Sequence, residues 1–527
     1  MPGGLRRFPR IRPDHLIAGA VVLVVSVLGC LQLLWGGDLG IGNNGDVRRL
    51  LCGAGLQPAP GEVAFGPVEF GVVPLTPACD DPELRYRTSQ ILLIDAVRLL
   101  DGLVSGPGMD LRVVGALSAV LFGIGVGLLY LVLPGGRTPR LLTTAVATFL
   151  LLDVTYLHFF SSAYSETAGF LGLLWTTVAL AWLGRGPMRV LPVLATVLAG
   201  AFLITAKSQL TPLVAVLVLA LAARWFADRS EPDRLRSAGL AVGASLVLAV
   251  TGGAYLGSQG PGFHDINIHN LVVHTVLPLT DDPEAALEEM GLDPAMARHA
   301  GSHAFDTVAW GQPEHEAFLR DASRPAVVRF LADHPSVARE LLRYGLREST
   351  QTRLPYLAEH SAPDASGSYA ATDRHDLPGQ VLASTRDAAP VVLPLLWVVM
   401  SGWGVALLVV RRFRERGSLG WALPLLFACA GAVGQLAVAL LGDGYWEISK
   451  HSIYVSWLTF LALALAAGSV PAVLRRPEAT SPESSLDDDT RALPPVGADG
   501  ADGRPAPGRP AVPAPVLQRD RLLVPTP

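Results

Sequence analysis

Apolar runs long enough to cross a bilayer alternate with polar connections along most of this chain. The first run, residues 16–35, is about 20 residues long, which matches the thickness of a hydrocarbon core. No small-residue cleavage site follows it, so we interpret it as a retained anchor helix. Isolated strands cannot satisfy their backbone in lipid, so each run is predicted to be a helix. The nine further runs are 111–133, 141–160, 166–183, 190–205, 210–226, 238–255, 390–410, 419–441 and 453–470.

Basic residues mark every second connection, which predicts ten spans with both termini in the cytoplasm. They are Arg6, Arg7, Arg10, Arg12, Arg137, Arg140, Arg185, Arg189, Arg224, Arg229, Arg234, Arg236, Arg411, Arg412, Arg414, Arg416, Arg475 and Arg476. This topology places two large loops outside the cytoplasmic membrane, here named the first loop (36–108) and the second loop (258–389). The short runs 190–205 and 210–226 leave open a re-entrant hairpin.

The predicted fold is an all-α membrane protein whose membrane domain covers residues 1–476. Within the second loop, residues 325–347 carry an apolar stripe at helical spacing, which predicts a small external helical subdomain. Residues 477–527 are rich in Pro, Gly, Asp and Ser and nearly free of aromatics, which predicts a disordered cytoplasmic tail.

Composition supports an integral membrane protein, because half of the 527 residues are hydrophobic and only 17% are charged. The net charge of −5 averages over compartments and so carries no information about partners. We expect no nucleic-acid partner. Cys30 and Cys429 lie in apolar runs and are expected to be packing residues. Cys52 and Cys79 both lie in the first loop, where they either form a disulfide with each other or do not.

Ionisable side chains gather at the outer ends of the predicted helices. Such groups are costly to desolvate beside a membrane, so they are candidates for function. The candidates in five separate connections are Asp46, Arg48, Arg49, Tyr164, Glu166, Lys207, Gln209, His264, Asp265, Asn270, Asp443, Glu447, Lys450 and His451.

Asp46 is the leading candidate for catalysis. A carboxylate can take a proton from an acceptor hydroxyl or hold a divalent cation such as Mg or Mn. Its Asn-Asn-Gly-Asp context also resembles a turn before a helix, so the alternative is an N-cap for residues 47–51.

Five basic residues are candidates for binding the donor phosphate, namely Lys207, Lys450, His451, Arg48 and Arg49. Lys450 and His451 follow Glu447 at helical spacing, and cations at a helix start oppose its dipole unless an anion is bound. The alternative is a simple pair between Glu447 and Lys450. Lys207 lies on the side where the positive-inside rule disfavours it, so it binds an anion or snorkels to headgroups.

Other polar residues in the same connections are candidates for supporting the site. They are Tyr164, Glu166, Gln209, His264, Asp265, Asn270 and Glu447. Glu166 follows Ser165, whose capping of a helix is the alternative explanation. The histidines at 264, 269 and 274 recur every five residues, which suits no zinc motif.

Several short strings resemble the GT-C class of membrane glycosyltransferases, and in particular bacterial surface-glycan hexose transferases. They are Asn44-Gly45-Asp46-Val47-Arg48-Arg49, the segments 160–166 and 206–209, Leu277-Pro278 with Gly291-Leu292, and Glu447-Ile448-Ser449-Lys450-His451. The resemblance implies a polyprenyl-phosphate sugar donor, a glycan or glycolipid acceptor, an inverting transfer, and a base corresponding to Asp46. Paired acidic residues are common in that class, whereas Val47 follows Asp46 here, so metal dependence stays open.

Two other functions compete with a hexosyltransferase. A transporter or flippase of a lipid-linked saccharide would need charges along a path through the membrane, whereas these residues cluster on one side. A scaffold for cell-envelope assembly would tolerate neutralisation of Asp46, Lys207 and Lys450.

Overall fold

The described part of the chain begins with one long helix, which is followed by shorter helices and strands. The computed structural model describes residues 12–35, 38–59, 68–75, 86–101, 108–227, 234–260, 262–306, 308–354, 357, 359, 374–414 and 417–474, all within one compact unit. The predicted tail 477–527 lies outside the described residues. In chain order, the first elements are α1 (Pro13–Leu34), α2 (Asp46–Gly53), β1 (Leu56–Pro58), β2 (Gly71–Pro74), α3 (Gln90–Asp101) and β3 (Met109–Asp110).

A small antiparallel sheet departs from the predicted all-α fold. Its strand order is β1-β2-β3, with Leu56 opposite Pro74 and Val72 opposite Met109. Val72 is buried at the centre of this sheet. The strands are too short to leave a periodic signal in the sequence, so the apolar-run pattern missed them.

The central part of the chain is a series of apolar helices joined by short turns. They are α4 (Leu111–Val132), α5 (Arg137–Leu151), α6 (Val154–Leu157), α7 (Glu166–Leu183), α8 (Val190–Ile204), α9 (Leu213–Ala227) and α10 (Arg234–Leu256). A 3-10 turn, Ser208–Leu210, connects α8 to α9.

The run 141–160 is not the single helix that the sequence predicts. It breaks after Leu151, because the Asp153 carboxylate accepts a hydrogen bond from the Thr155 backbone at 2.9 Å and so begins α6. The other carboxylate oxygen accepts a 2.7 Å bond from the Gly379 backbone. Asp153 therefore ties the helix break to the second loop.

The second loop is helical, as predicted. Its helices are α11 (Gly262–His269), α12 (Pro283–Glu289), α13 (Pro313–Asp321), α14 (Arg324–Asp333), α15 (Pro335–Glu348) and α16 (Leu377–Ser384). A π-helical turn, Asn270–Val276, and a 3-10 turn, Ala304–Asp306, lie between them. The predicted stripe is largely confirmed, since Phe330, Leu331, Val337 and Leu341 are buried whereas Leu342 is exposed.

The chain ends with α17 (Ala389–Val409), α18 (Arg411–Arg414), α19 (Leu419–Gly442), α20 (Ile448–His451) and α21 (Ile453–Leu474). Eight segments in the described part are long and apolar enough to cross a membrane, with α8 a shorter apolar helix. The molecule is thus a multi-pass helical membrane protein. α19 and α21 pack against each other, with the side chain of Leu458 lying against Gly431.

Candidate functional site

Helix ends from distant parts of the chain meet around one cavity of about 810 Å³. The starts of α2, α7 and α14 contribute to it, as do the ends of α10 and α19. The predicted site residues that line it are Asp46, Arg49, Tyr164, Glu166, Lys207, Gln209, His264, Asp443, Glu447 and His451. The five connections singled out in the sequence therefore lie at one end of the helix bundle.

Asp46 begins α2 without capping it. The N-cap is Gly45, whose φ of 103° lies in the left-handed region that favours glycine, and no side chain caps the helix. The Asp46 carboxylate instead hydrogen-bonds the Lys450 ammonium, and Arg49 lies 3.7 Å from its other oxygen. The N-cap explanation of Asp46 is therefore wrong.

Lys450 is fully buried beneath this carboxylate. Its Nζ also lies 3.3 Å from Glu447 Oε2 and 5.1 Å from the centre of the Tyr164 ring. The Lys450 side chain has no exposed surface, whereas 43% of the Asp46 side chain is exposed. Asp46 can thus meet a ligand in the cavity, while Lys450 is occupied by two carboxylates and is not placed to bind a phosphate directly.

Glu447 connects the segment after α1 with the segment before α20. Asn44 Nδ2 donates to both of its carboxylate oxygens, at 2.8 and 3.0 Å, and the Asn44 backbone N–H donates to the Tyr164 hydroxyl at 3.0 Å. Glu447 has a φ of 44°, the only positive value at a non-glycine among the described residues. Such a conformation costs about 1–3 kcal/mol and persists only where surrounding contacts impose it.

The electrostatics keep Asp46 ionised. Burial alone would raise the pKa of Asp46, but the ammonium groups of Lys450 and Lys207 outweigh it and hold that pKa well below its usual range. The pKa of Glu447 follows the same balance, with burial opposed by Lys450, and lies below its usual value. Both carboxylates are therefore anionic over the neutral pH range.

Lys207 lies against Glu166 and also lines the cavity. The Lys207 Nζ is 2.6 Å from Glu166 Oε1, and the Glu166 side chain is 1% exposed. Ser165 occupies the N-cap position of α7 without making a capping bond from its side chain. The ammonium group of Lys207 compensates the charge of the buried Glu166 carboxylate. Lys207 therefore does not extend to lipid headgroups, as the snorkelling alternative requires.

His451 and Asn270 converge on Asp443. His451 Nε2 lies 3.2 Å from Asp443 Oδ2, and Asn270 Nδ2 donates to Asp443 Oδ1 at 2.8 Å. Gln209 donates to the backbone carbonyl of His451. Of the five residues predicted to hold a phosphate, four thus face a carboxylate of the chain, whereas one is exposed. The four are Lys207, Lys450, His451 and Arg49, and the exposed one is Arg48.

Arg324 is a cavity residue that the sequence interpretation missed. Its guanidinium donates to the carbonyls of Leu441 at 3.1 Å and Gly442 at 3.3 Å, and lies 3.2 Å from His264 Nδ1. In the described ranges, no carboxylate forms an ion pair with it. An available signal was its position as the first residue of a helix, where a cation opposes the dipole.

Two predicted residues lie away from the cavity. Arg48 points from α2 into an exposed position, and Asp265 is partly buried in α11 without lining the cavity. Both were selected by their sequence neighbourhood, and a helix turns adjacent residues in different directions.

The donor set does not fit a resident divalent cation. Among the residues that the structure describes, no three His, Cys, Asp or Glu side chains are arranged to hold a metal. Asp46 and Glu447 converge on the Lys450 ammonium, which occupies the position that a bridging cation would need. Cys52 is disulfide-bonded, Cys30 and Cys429 are free thiols, and Cys79 lies outside the described residues.

Comparison with known proteins identifies a membrane family. The family described as the YfdI N-terminal transmembrane domain matches residues 6–478, which is most of the chain. No curated protein and no solved structure matches the sequence.

Proposed function

This chain belongs to the family of the YfdI N-terminal transmembrane domain, and we propose that its cavity is the active site of a membrane glycosyltransferase. The enzyme moves a hexose from a polyprenyl-phosphate donor to a cell-envelope glycan or glycolipid on the outer face of the cytoplasmic membrane, in the manner of the GT-C class. One observation carries the proposal: an ionised, accessible Asp46 shares a cavity with cations from several helix ends.

Asp46 is the residue that receives the acceptor proton. Its carboxylate is held in the anionic form and exposed to the cavity, so it can orient an acceptor hydroxyl at hydrogen-bond distance. Its lowered pKa makes it a weak base toward a free alcohol. The hydroxyl becomes strongly acidic as its oxygen bonds to the sugar, and proton transfer is then favourable.

The hexose is transferred in a single displacement at its C1 atom. The acceptor oxygen forms a bond to C1 of the hexose on the face opposite the lipid phosphate, while the bond from C1 to the phosphate oxygen breaks. The phosphate leaves with that electron pair, and the acceptor proton moves to Asp46. The products are an inverted glycoside and a polyprenyl phosphate.

Arg324 is the residue best placed to stabilise the departing phosphate. Its hydrogen-bond partners are two carbonyls and a histidine ring, and among the described residues no carboxylate lies within ion-pair distance of its guanidinium, although the charge of Asp443 acts on it from farther away. Guanidinium groups match phosphate oxygens in geometry and remain charged at all relevant pH values. Lys207 contributes a second positive charge to the cavity, partly offset by Glu166.

An apolar wall supports a lipid-linked donor. Side chains from three neighbouring helix ends, Leu256, Pro212 and Val438, line the cavity together with the polar residues. The first isoprene units of a polyprenyl chain need such a surface, since each buried CH₂ contributes about 0.8 kcal/mol. A water-soluble nucleotide-sugar donor would have no use for it.

The decisive experiment compares two Asp→Asn substitutions. Asp46 and Asp95 both lie 3.7 Å from an arginine three residues later, but only Asp46 lines the cavity. The purified protein in lipid nanodiscs is given polyprenyl-phosphate hexoses and a crude envelope glycan acceptor, and released polyprenyl phosphate is measured. Asp46→Asn should reduce release by at least about 100-fold, whereas Asp95→Asn should leave it unchanged.

Correct folding of the variants is checked by their elution as a single species and by their melting temperatures. Full release by a folded Asp46→Asn protein would refute the assignment of the base. Movement of the lipid-linked sugar across vesicles without any release of polyprenyl phosphate would instead favour the flippase.

A further inference from the structure

An aromatic surface forms one rim of the cavity and has no part in the proposed chemistry. The Trp446 ring lies 4.3 Å from the His303 ring at 39° and 5.4 Å from the Phe305 ring at 38°. Trp446 and Phe305 both line the cavity, and Phe305 is 52% exposed. We name these three rings the aromatic platform.

Two turns hold the platform in place. In the first, Gly444 has a φ of 65°, and a side chain there would collide with Thr275 Oγ1 at 2.1 Å. The Tyr445 N–H donates to that same hydroxyl oxygen at 2.7 Å, which fixes the backbone just before Trp446. In the second, the Ala304 N–H donates to Asn270 Oδ1 at 2.8 Å, which fixes the backbone before Phe305.

Asn270 connects the platform to the ionisable part of the site. Its oxygen holds the turn that carries Phe305, while its amide nitrogen donates to Asp443, the partner of His451. The same side chain thus positions an aromatic ring and a carboxylate relative to each other. A rigid pair of this kind is expected where a ligand needs both an apolar and a polar contact.

The edges of the platform are polar. The Phe305 N–H donates to His303 Nδ1 at 3.1 Å, so the proton of the neutral ring lies on Nε2, which is 2.9 Å from Asp306 Oδ1. Asp443 and Glu447 lie in the same turn as Trp446 and offer carboxylate oxygens at the cavity. A lipid-facing aromatic belt would have no reason to be bordered by carboxylates.

The chemistry of the platform matches a sugar ring. A pyranose presents C–H groups on its faces and hydroxyls around its edge, so it packs on flat aromatic rings while its hydroxyls donate to carboxylates. The polyprenyl chain requires apolar surface without such acceptors, and the wall that includes Leu256 and Val438 supplies it.

We propose that the aromatic platform binds a pyranose ring of the acceptor, an inference that rests on the proposed transferase function. The acceptor is then a glycan, since a glycerol or protein hydroxyl has no ring face to stack. The platform directs the acceptor into the cavity that Asp46 lines, and the donor occupies the apolar wall.

Saturation-transfer NMR tests the platform directly, without requiring turnover. The probes are α-linked trisaccharides of glucose, mannose and galactose, with glycerol as a polyol that lacks a ring, and the protein is held in nanodiscs because maltoside detergents carry sugars. Wild type should give ring-proton signals with at least one trisaccharide and none with glycerol. Trp446→Leu should weaken that binding at least about tenfold, or 1.4 kcal/mol.

Matched variants separate stacking from folding. Trp446→Phe keeps a flat ring and should retain binding within about threefold. Trp35→Leu removes an exposed tryptophan at the end of α1, away from the cavity, and should bind like wild type. Equal binding by Trp446→Leu and wild type, or no signal from any trisaccharide, would overturn the proposal. Quenching of Trp446 by spin-labelled lipid, measured against Trp446→Phe, would also overturn it.

The two proposals fail in different ways. Saccharide signals that persist while a folded Asp46→Asn protein still turns over would remove the transferase mechanism and leave the platform as a glycan-binding surface. Loss of turnover in Asp46→Asn without any saccharide signal would remove the platform and leave the transferase.

Discussion

Replacing Lys450 with methionine should damage both stability and activity, because this lysine is the only ammonium between two carboxylates in the described part of the site. Its Nζ contacts Asp46 and lies 3.3 Å from Glu447 Oε2, and its side chain has no exposed surface. Methionine is similar in length and apolar, so the substitution removes the charge with little change in packed volume.

The size of the effect follows from the distances. With an effective dielectric constant of about 20, a pair of unit charges 3.3 Å apart interacts by about 5 kcal/mol. Removing one partner of a buried pair costs about 3–5 kcal/mol, because the other charge is left unpaired. Water reaches Asp46, whose side chain is 43% exposed, so the lower end applies. At about 2.1 cal/mol/K of unfolding entropy per residue, a compact unit of 475 residues should lose about 3 °C of melting temperature.

Melting temperatures in nanodiscs should be measured for the Lys450→Met and Glu447→Gln variants and for the protein with both changes. Glutamine can still accept from Asn44, whose amide donates to both oxygens of Glu447. The double variant should therefore be more stable than Lys450→Met alone, since one unpaired carboxylate has been neutralised. The reasoning is refuted if Lys450→Met melts within about 1 °C of wild type, or if adding Glu447→Gln lowers the melting temperature further.

Four further predictions concern other parts of the protein. Arg324→Gln should raise the KM for the lipid donor at least tenfold by steady-state kinetics, whereas Arg324→Lys should recover only part of it. Glu447→Gly should relieve the backbone strain yet lower turnover more than Glu447→Gln, because it also loses the bond from Asn44. Burial and the neighbouring His315 lower the pKa of His269 to about 4, so the folded state binds fewer protons than the unfolded state. About 3 kcal/mol of stability, present above pH 6.5, should be lost as pH falls toward 4, and His269→Gln should flatten this slope in melting curves. Dithiothreitol should lower the melting temperature of wild type but not of Cys52→Ala, since Cys52 is disulfide-bonded and a disulfide contributes about 2–4 kcal/mol.

Much of the helical architecture could be predicted because lipid imposes a simple rule on sequence. An apolar run of sufficient length must be a helix, so the boundaries of α4, α7 and α19 follow closely from hydropathy. The break at Asp153 did not follow, since it depends on the Gly379 backbone in a distant loop. The small sheet was not predicted for a similar reason, because its strands pair residues from separate segments.

The site was predicted as a group of residues, but its pairings were not. The topology brought Asp46, Glu166 and His451 to one end of the bundle, and they do line one cavity. Which cation faces which carboxylate depends on angstrom-level packing, so Lys207 and Lys450 were assigned to phosphate although each is paired within the chain. Arg324 belongs to α14, whose position over the cavity no local pattern reveals.

The charges around the cavity balance one another, with His counted as neutral. The four carboxylates are Asp46, Glu166, Asp443 and Glu447, and the four cations are Arg49, Lys207, Lys450 and Arg324. A donor phosphodiester brings one negative charge, whereas the released phosphomonoester carries up to about two. Once Asp46 gives up the proton that it received, the occupied site therefore carries up to one negative charge more than it did with the intact donor bound.

The released phosphomonoester itself titrates at about pH 6, whereas the phosphodiester of the donor has no proton to exchange near neutral pH. Binding of polyprenyl phosphate should accordingly exchange protons with the solution, more than binding of the intact donor does. Calorimetry in two buffers of different ionisation enthalpy would measure this exchange, and identical heats in both would exclude it. Under the proposed mechanism, product release then becomes the proton-linked step of the cycle, and its rate should depend on the pH of the solution that the cavity faces.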